Sequence, residues 1–64
     1  MKLKNLKSNT YFTKKQLDFP NEDQVWVKSV FDRSSRKYLC YKFSDINCWC
    51  LISGDKDVFT DFTF

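Results

Sequence analysis

The side chains that could do chemistry in this sequence are few, and histidine is absent. Histidine is the commonest general base and a common metal ligand, so nucleophile pairs built on it are excluded. The only glycine is Gly54, which excludes a glycine-rich phosphate-binding loop. An enzyme would have to work with lysine, tyrosine, aspartate or cysteine alone. We therefore predict a protein that is not an enzyme and uses no cofactor.

The three cysteines are Cys40, Cys48 and Cys50, and an odd number argues against a disulfide framework. A closed zinc site needs four ligands, and no histidine is present to supply the fourth. We interpret the cysteines as reduced, small hydrophobic side chains in or near a core, and we predict no metal site. Four aspartates in the last third of the chain suit solvated turns better than a cation site. They are Asp45, Asp55, Asp57 and Asp61.

The length of 64 residues limits the chain to a single domain, 1–64. The net charge of +3 is uneven, because residues 1–42 carry +6 and residues 43–64 carry −3. Such an asymmetry allows a basic face but does not identify its partner. No apolar run is long enough to span a bilayer, and no secretion signal follows the first lysines. We therefore expect a cytoplasmic protein that does not enter a membrane.

Strand patterns dominate the sequence, and helical periodicity is poor. One helical turn is expected within residues 2–7, and Asn9 is expected to adopt a left-handed conformation in the turn that follows. A type II′ turn is expected at Gly54 and Asp55. These turns separate five expected strands, 11–14, 24–31, 36–43, 48–52 and 57–64. The pattern predicts an all-β fold, a small five-stranded antiparallel SH3-like barrel or a strongly bent sheet.

The central hairpin can be placed in register from its turn. A four-residue loop at 32–35 pairs Phe31 with Arg36 and sorts the side chains into two faces. Burial of unpaired lysines is costly, so the face that carries them in its middle should point to solvent. The predicted inward residues are Val25, Val27, Phe31, Tyr38 and Cys40. The predicted outward residues are Trp26, Lys28, Lys37 and Tyr41. A bulge would shift the register by one residue and reverse this assignment.

The outward face and the hairpin tip combine aromatic rings with cations. Rings that stack on bases and cations that meet phosphates are how small barrels hold single-stranded nucleic acid. The predicted binding residues are Trp26, Lys28, Arg33, Arg36, Lys37 and Tyr41. Packing of Trp26 beneath a neighbouring segment is the alternative interpretation of the same pattern. A protein partner is an equal alternative to nucleic acid, because Trp, Tyr and Arg are also the usual hot-spot residues of protein interfaces.

Two stretches of the sequence carry a resemblance. The stretch VWVKSVFDRSSRKYLCYKFSDIN and the later ISGDKDVFTDFTF resemble small β-barrel proteins of Bacteroidota and of their phages or mobile elements. The resemblance extends over residues 3–64 and implies a habitat rather than an activity. On this basis the alternative to nucleic-acid binding is a regulatory factor of phage or mobile-element origin that acts on a host protein. A homo-oligomer formed through the apolar strand 57–64 is a further expectation.

Overall fold

The computed structural model describes residues 1–64 and contains four antiparallel strands in one open sheet. The strands are β1 (Tyr11–Phe12), β2 (Trp26–Asp32), β3 (Lys37–Lys42) and β4 (Asp45–Ser53), and they lie side by side in chain order. Short 3₁₀ turns occur at Leu3–Asn5 and Glu22–Gln24. Neither turn is long or apolar enough to cross a bilayer. The all-β prediction is confirmed.

The expected fifth strand and the closed barrel are not what the structure has. Residues 57–64 form only two isolated bridges, Lys2 with Asp57 and Thr13 with Phe59. The turn expected at Gly54 is present, since the Lys56 amide donates to the Ser53 carbonyl at 3.1 Å. It is not type II′, however, because no glycine has a positive φ. The chain therefore leaves the sheet instead of returning along β4, and the predicted pairing of 48–52 with 57–64 does not form.

The first residues of the chain take the place of that strand. The Leu3 amide donates to the Lys56 carbonyl at 3.0 Å, and the Val58 amide donates to the Met1 carbonyl at 2.8 Å. These bonds hold the N-terminal segment across one face of the sheet. The core that results consists of six buried side chains, Leu3, Leu6, Phe12, Cys40, Ile52 and Val58.

Gly54 is required where the N-terminal segment meets the sheet. A Cβ atom at this position would lie 3.0 Å from the Lys4 Cβ and 3.0 Å from the Tyr38 Cε2. Such distances are tighter than van der Waals contact, so a side chain here would push the two segments apart. The single glycine of the sequence therefore serves close packing rather than an unusual backbone angle.

The central hairpin has a bulge that reverses part of the predicted faces. Phe31 pairs with Tyr38, but after a register shift Lys28 pairs with Cys40 and Val27 pairs with Tyr41. Two residues of β2 therefore stand where the partner strand has one, which turns the earlier part of β2 over. Trp26 and Lys28, predicted to point outward, lie on the core face. Val27, predicted to point inward, lies on the face opposite the core.

The hairpin turn is one residue later than predicted. Asp32 pairs with Lys37, so the loop is 33–36, and Arg36 adopts a positive φ of 58°. The Asp32 carboxylate accepts bonds from the Ser34 amide at 3.2 Å and the Ser35 hydroxyl at 3.0 Å. These local bonds fix the turn. The left-handed conformation predicted at Asn9 is confirmed by its φ of 69°.

Candidate binding surfaces

The six residues of the predicted nucleic-acid site do not form one surface. Trp26 is half-buried against the core, and Lys28 is buried. Tyr41 pairs with Val27 and lies on the face opposite the core. The remaining three are exposed at or beside the hairpin tip, and they are Arg33, Arg36 and Lys37. The bulge in β2 is the physical reason for this separation.

Lys28 is the clearest correction to the predicted site, since its exposure is only 4%. Its Nζ donates to the Leu6 carbonyl and lies 4.3 Å from the centroid of the Tyr38 ring. Burial lowers the pKa of this ammonium group, and the neighbouring Cys40 partly opposes that shift. Its role in the structure is therefore to tie β2 to the N-terminal segment, and it is not available to a phosphate.

Cys40 lies opposite Lys28 on β3 and is fully buried. Burial, and then the nearby Cys50, raises the pKa of the Cys40 thiol to about 11. The thiol is therefore protonated at neutral pH and behaves as a hydrophobic side chain. All three cysteines are free, with Cys48 exposed and Cys50 half-buried.

Lysines also lie close to the Trp26 ring, apart from the cations at the hairpin tip. The Lys14 Nζ lies 4.0 Å from the centroid of the Trp26 ring, and the Lys42 Nζ lies 5.9 Å from it. Lys15 and Gln24 help to line the open groove beside the ring, which has a volume of about 220 Å³. The sequence does not reveal this arrangement, because Lys14 follows β1, Lys42 lies on β3, and only the observed register brings both to Trp26. The cluster provides positive charge next to an aromatic ring.

The outer face, defined as the sheet face opposite the core, carries a row of aromatic residues. Tyr11, Val27, Tyr41 and Trp49 are direct neighbours across the four strands. Trp49 is 60% exposed and Tyr11 is 45% exposed. This aromatic row, three rings interrupted by Val27 on β2, therefore crosses the sheet and ends at β4.

Beside this row lies the outer groove, a shallow apolar groove with a volume of about 310 Å³. Its apolar lining comes from β2, β3 and β4, and consists of Val30, Phe31, Leu39, Trp49 and Leu51. The only ionisable group in the lining is Asp32, which already accepts the turn hydrogen bonds. The sequence did not reveal the groove, because it forms only when β4 pairs with β3 and the predicted register covered only the central hairpin.

At the other end of the outer face, three rings pack edge to face. The Phe43 and Phe64 ring centroids are 4.9 Å apart, and the Tyr11 and Phe43 centroids are 5.4 Å apart. Val25 and Val27 are buried beside this group and do not belong to the six-residue core. This end of the outer face is thus covered by the chain itself, whereas the end at Trp49 is open.

The acidic residues do not create a further site. Asp55 pairs with Lys4 at 3.2 Å, and Asp57 pairs with Lys2 at 3.7 Å. No three side chains among His, Cys, Asp and Glu converge as metal ligands would. Comparisons of the chain with protein-family models, with curated proteins and with solved structures give no match.

Proposed function

We propose that this chain is a small, non-enzymatic binding domain that engages an apolar segment of a protein partner through the outer face of its sheet. The observation that carries the proposal is the outer groove, which is open to solvent and lined by five apolar side chains. Single exposed hydrophobic residues are common on protein surfaces, whereas a contiguous apolar surface marks an interaction site. Trp49, at the end of the aromatic row, is the natural anchor.

The charges favour a protein over a nucleic acid at this groove. A nucleic-acid site places cations where phosphates run, and most of its affinity comes from those contacts. The lining of the outer groove contains one carboxylate and no cation. An apolar peptide segment therefore matches the groove better than a phosphate backbone does.

The groups with shifted pKa values support a binding role rather than catalysis. Lys28 and Cys40 are the two such groups, and both lie buried on the core side of the sheet. Neither group can reach a substrate without opening the core. Their shifts follow from burial, which also occurs in structural positions.

The test is panning of a random-sequence peptide library on the immobilised protein, followed by amide NMR titration of the selected peptides. We expect apolar and aromatic peptides to be enriched and to shift the amides of residues 30–31, 39 and 49–51. Trp49→Lys should weaken their binding by at least about 30-fold, as for an interface hot spot. The matched control is Tyr11→Lys, which places the same charge at the far end of the aromatic row. Peptides that bind Trp49→Lys as tightly as the unchanged protein would overturn the proposal.

A second candidate function is weak binding of single-stranded nucleic acid, which the lysines around Trp26 favour. Lys14 and Lys42 both lie within 6 Å of the ring centroid, so a base stacked on Trp26 would have cations beside its phosphates. Titration with random single-stranded DNA should then shift the amides near Trp26 at low salt and not at high salt. A spectrum that does not move at low salt removes this candidate.

The origin and location of the protein remain part of the proposal. A cytoplasmic regulatory factor carried by a phage or mobile element, acting on a host protein, is the setting that the sequence resemblance implies. A binding domain with an apolar groove fits such a role. Detection of the protein in the soluble cytoplasmic fraction of its native cells is the corresponding measurement.

A further inference from the structure

Strand β4 is an unprotected edge of the sheet. It lies last in the strand order and pairs only with β3. From Ile46 to Ile52, no backbone hydrogen bond leads to any segment other than β3. Natural edge strands are usually short, charged or interrupted by proline, because a free edge invites pairing with another chain. β4 has nine residues, no proline and a single charged residue, Asp45. A register shift interrupts its pairing with β3 between Asp45 and Trp49, so the regular part of this edge is 49–53.

We infer that β4 pairs antiparallel with β4 of a second copy of this chain and forms a two-fold symmetric dimer with a continuous eight-stranded sheet. This inference rests on the proposed function, because Trp49 and Leu51 belong both to the outer groove and to β4. Antiparallel pairing about a two-fold axis is self-complementary, so one strand can serve as its own partner. The occupant of the edge is therefore another copy of the sequence that forms it.

The charges of β4 are compatible with self-pairing. Asp45 stands at the first position of the strand. In an antiparallel pair the two copies of this aspartate lie at opposite ends of the interface, so like charges do not meet. No cation on β4 offers a contact to nucleic acid, and the rest of the strand is apolar or neutral.

The exposed area of β4 matches a small, weakly associating dimer. On β4 itself, Trp49 is 60% exposed and Ile46 is 70% exposed. Together these two side chains present on the order of 250 Å² of apolar surface, given about 150–250 Å² for a full aromatic side chain. Interfaces that bury less than about 1,200 Å² in total belong to weak complexes, so this dimer should dissociate at low protein concentration. The strand backbone supplies the polar part of the interface.

The proposed dimer contact lies on a different strand from the one predicted by the sequence. Residues 57–64 were the expected pairing strand, but they form bridges to the N-terminal segment and to Thr13 instead. The strand that remains free is the one before them. The expectation of self-pairing through an apolar edge therefore moves from 57–64 to β4.

Sedimentation equilibrium between about 5 µM and 1 mM tests the inference on the full chain. We expect the unchanged protein to dimerise, and Trp49→Lys to raise the dimer dissociation constant at least about 30-fold. Tyr11→Lys, on the other edge strand, is the matched control and should dimerise like the unchanged protein. Ile46→Lys is a second variant in β4, and thermal unfolding confirms that each variant is folded. A monomer at 1 mM, or a dimer that both β4 variants leave intact, overturns the inference.

Hydrogen exchange separates strand pairing from a side-chain contact. The amides of residues 46–52 that point away from β3 should exchange more slowly as the protein concentration rises. Exchange that is independent of concentration in a dimeric sample overturns the pairing of β4. The peptide titration at 5 µM addresses the proposed function separately, because a chain that binds apolar peptides but stays monomeric keeps its binding groove and loses only this inference.

Discussion

Gly54→Ala should destabilise the domain even though its backbone angle suits alanine. The added Cβ would lie 3.0 Å from both the Lys4 Cβ and the Tyr38 Cε2. Overpacking of this kind costs about 1–3 kcal/mol. Replacing glycine at a permitted backbone angle returns about 0.4–1 kcal/mol by restricting the unfolded chain. With the midpoints of these ranges, about 2 and about 0.7 kcal/mol, the expected net loss is about 1.3 kcal/mol.

That loss is measurable without unfolding the protein. A domain of 64 residues has a stability of roughly 3–10 kcal/mol, so the variant stays mostly folded. The midpoint of thermal unfolding should fall by about 5–10 °C, as followed by circular dichroism and confirmed by urea titration.

A double-mutant cycle checks that the contact with Tyr38 is the cause. In the background of Tyr38→Leu, which removes the ring, Gly54→Ala should cost less by about 0.5–1 kcal/mol. The remaining cost comes from the Lys4 Cβ, which the second substitution does not change. A Gly54→Ala variant as stable as the unchanged protein would refute the packing argument. An equal cost in both backgrounds would assign the strain to Lys4 alone.

Three further predictions concern single side chains. The pKa of Lys28 is lowered from 10.5, so the unfolded chain binds more protons than the folded one, and the free energy of unfolding rises with pH as the pH approaches 10.5. Urea titrations of Lys28→Met should lack this rise, and a pH profile identical to that of the unchanged protein would contradict the burial argument. The pKa of Cys40 is raised from 9.0 to about 11, so its stabilising contribution is present below pH 9 and is lost as the pH rises towards 11, by an amount on the order of 3 kcal/mol at most. Cys40→Val should lack that loss, and a pH profile that still shows it would assign the titration to another group. Asp32→Ala removes two hydrogen bonds of the hairpin turn and should lower the free energy of unfolding by about 1 kcal/mol in urea titration. The control Asp61→Ala, at an exposed aspartate, should change it by less than about 0.5 kcal/mol, and equal effects of the two variants would contradict a stabilising role for the Asp32 hydrogen bonds.

Local patterns predicted the central strands well. The run QVWVKSVF contains β-branched and aromatic residues between turn residues, and β2 occupies most of it. Asn9 adopts the left-handed conformation because its short polar side chain tolerates it. These features depend on neighbouring residues only, so the sequence contains the information for them.

The buried position of Lys28 could not be found in the same way. The cost of burying a lysine was taken as evidence for exposure, but the acceptor that offsets this cost is the Leu6 carbonyl, 22 positions away. The bulge that turns Lys28 inward involves Ser29 and Val30, neither of which is a glycine that would indicate it. One extra residue in β2 therefore separates the members of the predicted site, and the contact that offsets the burial of Lys28 comes from a distant part of the sequence.

The fifth strand failed for a related reason. Residues 57–64 alternate as a strand would, but their backbone hydrogen-bond partners are Met1, Thr13 and Asp18, in the first third of the sequence. Alternation specifies which side chains share a face, and it does not specify the partner. The turn at Gly54 directs residues 57–64 away from β4 and towards the N-terminal segment. The Gly54-Asp55 dipeptide alone does not determine the type of that turn.

The bridge between Lys2 and Asp57 has a consequence for the order of folding. β2, β3 and β4 are joined by short turns and can pair early, since their contacts are local. Once these strands have paired, docking of the first residues must still close a loop of about 25 residues between Lys2 and β2, at an entropic cost of about 3 kcal/mol. The three-stranded meander should therefore form first, with one face bare, and the N-terminal segment should complete the core in the last step. Until then the apolar side chains of β3 and β4 are exposed on both faces, which makes the interval before docking the period of greatest risk of aggregation.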